Sequence, residues 1–139
     1  MPINGTFTPF TLYVYGTLRP GFNPLTQVSG TLYDLGWYPG VILDDGPGFM
    51  AEAVQVTSVE MLRELDSYEG YRPNDPENSL FIRKPVLDGQ IYVYNQPIER
   101  RKIVPGGDWL EYQGKKAGGA EHFFGLPPNG NSTEEMIYA

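Results

Sequence analysis

The sequence contains no cysteine and a single histidine, His122, among 139 residues. The first absence excludes disulfides, thiolate metal sites and cysteine nucleophiles. The second excludes a multi-histidine metal centre and leaves any nucleophile–histidine–acid triad with one imidazole to draw on. Basic residues are also scarce, 10 Lys and Arg against 17 Asp and Glu, for a net charge of −7. A general nucleic-acid binder needs a basic face to displace condensed counterions, so no nucleic-acid partner is expected. The one basic cluster, Arg100-Arg101-Lys102, reads as a solvated stretch after a strand. No apolar run approaches the roughly 18 residues of a membrane span. Met1-Pro2-Ile3-Asn4-Gly5-Thr6-Phe7 carries neither a basic leader nor a long apolar stretch. The expectation is a soluble, cytoplasmic protein with no membrane partner.

What is present is the material of short strands. Seventeen glycines and 13 prolines are scattered along a chain that is 40% hydrophobic and 14% aromatic, which fits shaped loops between strands better than a helical bundle. Leu12-Tyr13-Val14-Tyr15 reads as the first strand, ended by Gly16 and Pro20-Gly21. Further strands are expected at Gly30–Leu35, Val41–Leu43, Met50–Val56, Phe81–Leu87 and Gln90–Tyr94. Asp88-Gly89 favours a type I′ hairpin that sets Val86 and Ile91 on paired strands. One helix is signalled. Thr57-Ser58-Val59-Glu60 has capping-box form, Val56 can staple against Met61, and Leu62, Leu65 and Tyr68 follow at helical spacing until Gly70 stops the run. The chain is the size of one domain, 1–139, with a loose lead over 1–10 and a Gly/Pro-rich tail over 114–139 that Phe123-Phe124 and Met136-Ile137-Tyr138 could anchor. The fold class expected is α+β: a mostly antiparallel curved sheet or small β-barrel with one main helix across it.

Two segments carry chemistry. Val14-Tyr15-Gly16-Thr17-Leu18-Arg19-Pro20-Gly21 ends a strand in a loop able to aim backbone N–H groups at a small anion. Leu65-Asp66-Ser67-Tyr68-Glu69-Gly70-Tyr71 places Glu69 in the last turn of the helix, where carbonyl dipoles disfavour negative charge and modestly strengthen a base. An anion cradle with a lone carboxylate points to base catalysis on a small acid. Arg19 has two readings of equal weight, a bidentate partner for a substrate carboxylate or a tie to Asp34, Asp66 or another acid. Tyr94 can line a pocket or serve the core. Glu64 and Asp66 read as helix-surface carboxylates, and His122 as a tail residue.

These motifs, with Gly30-Thr31-Leu32-Tyr33-Asp34, Tyr38-Pro39-Gly40, Tyr92-Val93-Tyr94 and Gly107-Asp108-Trp109, occur in an order that resembles the gamma-glutamylcyclotransferase-like superfamily, which includes AIG2-like and gamma-glutamylamine cyclotransferase proteins. The resemblance runs from about Leu12 to Tyr112. It implies release of 5-oxoproline and an amine or amino acid from a small gamma-glutamyl substrate. It makes Glu69 the general acid/base and the loop Tyr15, Gly16, Thr17 and Leu18 the substrate grip, with Arg19 and Tyr94 as further substrate-binding candidates. No cofactor and no metal are expected, and the protein is expected as a monomer or homodimer. The alternative is a catalytically inactive small-molecule- or protein-binding module on the same fold. One departure stands out: where family members often carry Tyr-x-Arg after the catalytic Glu, this chain has Phe81-Ile82-Arg83, so a hydroxyl is missing.

Overall fold

The β-branched and aromatic runs form short strands in the computed structural model, which describes residues 7–98 and 101–117. Strands β1 (Phe10–Val14), β2 (Leu25–Val28), β3 (Thr31–Asp34), β4 (Pro39–Ile42) and β5 (Phe49–Val56) precede helix α1 (Val59–Glu69). Strands β6 (Phe81–Val86), β7 (Gly89–Tyr94) and β8 (Lys102–Ile103) and helix α2 (Trp109–Ala117) follow. One sheet has the order β2-β5-β1-β7-β6 and a second the order β4-β3-β8. All pairings are antiparallel except β1 with β7, which run parallel with Leu12 opposite Gln90 and Tyr13 opposite Ile91. The architecture is α+β, as expected, with a curved and unclosed sheet rather than a barrel. Among the described residues no helix is long and apolar enough to cross a membrane.

The core lies along the central strands. Leu12, Val14 and Tyr15 pack with Phe49, Ala51, Phe81, Ile91 and Tyr92, and Val104 and Trp109 close it from the C-terminal side. Two glycines allow close approaches between strands. A Cβ on Gly89 would sit 2.1 Å from the Thr11 carbonyl oxygen, so the parallel β1–β7 contact requires a bare backbone there. A Cβ on Gly40 would lie 2.9 Å from Cβ of Tyr94, where β4 passes over β7.

Several local expectations need correction. The β6–β7 turn is centred on Leu87 and Asp88, since Val86 pairs with Gly89 and Ile91 with Lys84. Its positive φ falls on Leu87 (50°), because Gly89 is held by β1 instead of the turn. The helix N-cap is Ser58, whose hydroxyl accepts from the Met61 N–H, one residue on from the expected Thr57 frame. Strand β2 went unforeseen because it is a polar edge strand, Leu25-Thr26-Gln27-Val28, of which only Val28 is buried. Helix α2 also adds to the single helix expected. Its start is marked by Asp108, whose carboxylate accepts from the Glu111 N–H and whose carbonyl accepts from the Tyr112 N–H. The lead is shorter than expected, since Phe10 already belongs to β1, and residues 114–117 of the expected tail complete α2. The rest of the tail, with His122, Phe123-Phe124 and Met136-Ile137-Tyr138, and Arg100 of the basic cluster lie outside the described residues.

Candidate active site

Helix α1 buries two of its four carboxylates more deeply than its leucines. Leu62 and Leu65 are half-buried, whereas the buried residues are Asp66 and Glu69, three apart and therefore on one face. Glu69 is the last helical residue, and Gly70 (φ 68°, ψ 31°) ends the helix in the left-handed conformation with its N–H on Ser67 and Asp66 carbonyls. Tyr71 then donates its N–H to the Asp66 carbonyl at 2.9 Å.

Glu69 has no exposed surface, and neither of its carboxylate oxygens has a hydrogen-bond partner among the described residues. A buried carboxylate without donors is costly as an anion. Burial pushes its pKa well above the ordinary value, with the negative charge of Asp66 adding to the rise. The sequence pointed to the helix dipole, but desolvation is the larger cause.

Three phenols lie within electrostatic reach of the same carboxyl. Tyr15 is completely buried at the end of β1, and its hydroxyl donates to the Tyr92 carbonyl at 2.6 Å. Its pKa is raised by burial and then by the charge of Glu69, with the Val41 N–H acting in the opposite direction. Tyr38, from the turn before β4, is raised by burial and by Tyr94 and Glu69, opposed by Arg101. Tyr92 on β7 is raised by burial, by its hydrogen bond to Asp66 and, in smaller measure, by Glu69. Tyr15 and Glu69, fifty-four positions apart in sequence, thus meet electrostatically. Tyr94 joins the cluster through Tyr38. Phe81, at the position where the resemblance implies a tyrosine, packs its ring between those two, 5.4 Å from Tyr94 and 6.2 Å from Tyr38.

The loop after Tyr15 is a turn in which the Arg19 N–H donates to the Gly16 carbonyl at 3.0 Å. The N–H groups of Thr17 and Leu18, inside that turn, make no hydrogen bond to a described residue. Gly16 is buried, Thr17 exposed and Leu18 half-buried. Gly16 does not have the positive φ that would demand glycine on conformational grounds; in this loop Gly21 does, at 90°.

Arg19 takes the internal of its two readings. Its Nε donates to Glu52 at 2.8 Å and its Nη1 to Asp108 at 2.9 Å, and only 5% of the side chain is exposed. Burial pushes Glu52 up, but Arg19 and the N–H groups of Gly21 and Asn23 outweigh it and hold the carboxyl below its ordinary value. The guanidinium therefore ties the loop to β5 and to the start of α2, through acids other than Asp34 or Asp66. Glu64 is exposed, as expected. Asp66 is not a surface residue: it accepts from the Tyr92 hydroxyl at 2.5 Å and from Arg83 Nε and Nη2 at 3.1 Å each. Tyr38, Asp66, Arg83 and Tyr92 were not singled out from sequence as site residues, although all four stand in the segments Tyr38-Pro39-Gly40, Leu65-Asp66-x-x-Glu69-Gly70, Phe81-Ile82-Arg83 and Tyr92-Val93-Tyr94. Among the described residues no group of three or more His, Asp or Glu is disposed to hold a metal ion.

Comparison with known proteins supports the family that the sequence motifs resemble. Residues 12–111 match the family model described as gamma-glutamyl cyclotransferase, AIG2-like. The chain is 34% identical over 112 residues to the gamma-glutamylcyclotransferase family protein YtfP of Escherichia coli (strain K12), covering 72% of this chain and 96% of that one. It is 31% identical over 150 aligned residues to the gamma-L-glutamyl-butirosin B gamma-glutamyl cyclotransferase of Niallia circulans, covering 91% and 92%. The solution structure of ytfP from Escherichia coli superposes with a TM-score of 0.53 at 25% identity, over 73% of this chain and 96% of that one. The crystal structure of YkqA from Bacillus subtilis shares the fold, with a TM-score of 0.60 at 21% identity; 81% of this chain is covered, but it spans only 44% of YkqA.

Proposed function

The chain belongs to the gamma-glutamyl cyclotransferase, AIG2-like family, and from that premise we propose that it cyclises a small γ-glutamyl amide or γ-glutamylamine to 5-oxoproline, releasing the amine, with Glu69 as the proton acceptor and donor. The observation that carries this reading is the fully buried Glu69 carboxyl with no hydrogen-bond partner among the described residues. A group of this kind is costly to the fold, and such groups concentrate where function requires them.

The chemistry is an internal rearrangement. The α-nitrogen attacks the γ-carbonyl carbon of the same molecule, the C–N bond to the leaving amine breaks, and two protons pass from the attacking to the leaving nitrogen, one lost before attack and one after it, so that the ring keeps an N–H and the amine departs as its ammonium form. Because both reactants belong to one chain, holding it in a folded conformer supplies most of the entropic advantage. The α-ammonium must lose a proton before it can attack. Glu69 as carboxylate accepts that proton, then returns it to the leaving nitrogen as the tetrahedral intermediate collapses. An entering ammonium provides the positive charge that the buried carboxyl lacks, which favours the ionised form at the moment it is needed. The N–H groups of Thr17 and Leu18 are proposed to hold the substrate carboxylate or the developing oxyanion. Tyr38 and Tyr94 supply walls and phenol donors around the reacting atoms, and Tyr15, whose hydroxyl is taken by the Tyr92 carbonyl, supplies a wall. Arg19 acts through the loop it ties down rather than on substrate.

The test is incubation with a panel of γ-glutamyl amino acids and γ-glutamylamines, measuring 5-oxoproline and free amine together. Equal amounts of both products from at least one compound are expected. Thermal stabilisation by γ-glutamyl compounds without any release would instead mark a binding module and overturn the enzymatic reading.

A further inference from the structure

The cluster beside Glu69 contains charges for which the cyclisation has so far no use. Asp66 receives Arg83 through two parallel N–H···O bonds of 3.1 Å and the Tyr92 phenol at 2.5 Å. Arg83 is itself fixed by Nη1 on the Gln90 side-chain oxygen at 3.0 Å and lies 5.2 Å over the Tyr71 ring. Tyr92 faces both halves of the candidate site. Its hydroxyl holds the helix that carries Glu69, and its carbonyl accepts the Tyr15 hydroxyl at the start of the substrate loop. A chain of direct contacts therefore joins Tyr15 to the last turn of α1.

As a clamp alone, this arrangement is a poor choice. A largely buried ion pair can usually be replaced by well-packed apolar residues at no loss of stability. Here, moreover, the carboxylate stands on the same helical face as a second buried carboxyl, three residues away, where like charges repel. We propose that Asp66, held by Arg83 and Tyr92, is a positioning residue for the reaction: it fixes the last turn of α1 against the β6–β7 hairpin and keeps a negative charge one helical turn from Glu69. This rests on the reading of Glu69 as the base.

The direction of the effect follows from charge. Asp66 raises the proton affinity of Glu69, second only to burial. The other groups coupled to Glu69 are the phenols of Tyr15 at the end of β1, Tyr38 before β4 and Tyr92 on β7, with Arg101 and Tyr94 acting on Tyr38. Tyr15, Tyr38 and Tyr92 are pushed above the ordinary phenol value, so none of those three changes charge in the range where a carboxyl titrates.

The test is the pH profile of kcat/KM for 5-oxoproline release by wild type, Asp66→Asn and Tyr92→Phe. Asparagine keeps an acceptor for Tyr92 but removes the charge. Its acid limb is expected to move to lower pH, with plateau kcat lower by about tenfold, a part of what general-base catalysis supplies. Tyr92→Phe leaves the Asp66 charge in place, so its limb is expected to stay while KM rises. If Asp66→Asn does not fold because Arg83 is left unpaired, the neutral pair Asp66→Asn with Arg83→Met removes both charges and is expected to move the limb in the same direction. An acid limb at the wild-type pH in the folded charge-free variant overturns the inference. The outcome is separable from failure of the base itself: a fully active Glu69→Gln enzyme overturns the role of Glu69, whereas an inactive one beside an unmoved Asp66→Asn limb overturns only the role of Asp66.

Discussion

At the scale of single residues, the cost of keeping Glu69 buried and unpartnered should be measurable as stability. Its folded-state pKa lies above the ordinary 4.5, so between the two values the folded protein binds more protons than the unfolded chain. Stability from this group is fully present below about pH 4.5 and declines as pH rises through the raised value. Glu69→Gln removes that titration. Urea unfolding should therefore find the variant more stable than wild type at pH 7, with an advantage that shrinks towards pH 4.5; a variant less stable at pH 7 would contradict the assigned electrostatics. Glu69 was legible in the sequence because a helix stop, Gly70, follows it within a family motif. Asp66 was not, because its burial depends on Arg83 and Tyr92, 17 and 26 positions further on. Local spacing around Leu62 and Leu65 gives no hint of them. Arg19 was legible as an ion-pairing residue, but its partners Glu52 and Asp108 are 33 and 89 positions away.

At the scale of elements, β1 and β7 matter most, since their parallel pairing brings Tyr15 beside Tyr92. That contact depends on Gly89. A Cβ there would meet backbone, the Thr11 carbonyl oxygen at 2.1 Å and its carbon at 2.9 Å, and neither can rotate away. Gly89→Ala should thus destabilise the protein by about 1–3 kcal/mol, as overpacking does, measured as a lower urea midpoint. An unchanged midpoint would mean that the two strands separate without penalty. The Asp-Gly dipeptide correctly announced a hairpin, but a competing demand for glycine against β1 moved the turn centre to Leu87-Asp88. Most strands were visible because they are β-branched and aromatic; β2 was hidden by its polar edge character. Helix α2 had a usable signal, since Asp108-Trp109-Leu110-Glu111 has the Asp-x-x-Glu form of a capping box, and Asp108 serves both that cap and the Arg19 tie.

At the scale of the whole molecule, the α+β class followed from strand-like runs, dispersed turn residues and one strong helix. Closure of the sheet could not be read, because it depends on which edge strands find partners. The candidate site lies where Tyr92 of β7 joins the end of β1 to the last turn of α1, which carries Glu69. The central claim is that this carboxyl carries the proton of ring closure. The most direct test is single-turnover 5-oxoproline formation by wild type and Glu69→Gln on the best γ-glutamyl compound of the panel, with the dissociation constant of each measured in parallel. The expected result is a rate lower by about a hundred- to ten-thousand-fold with a dissociation constant within a few-fold of wild type; ring closure by Glu69→Gln at the wild-type rate would contradict the claim.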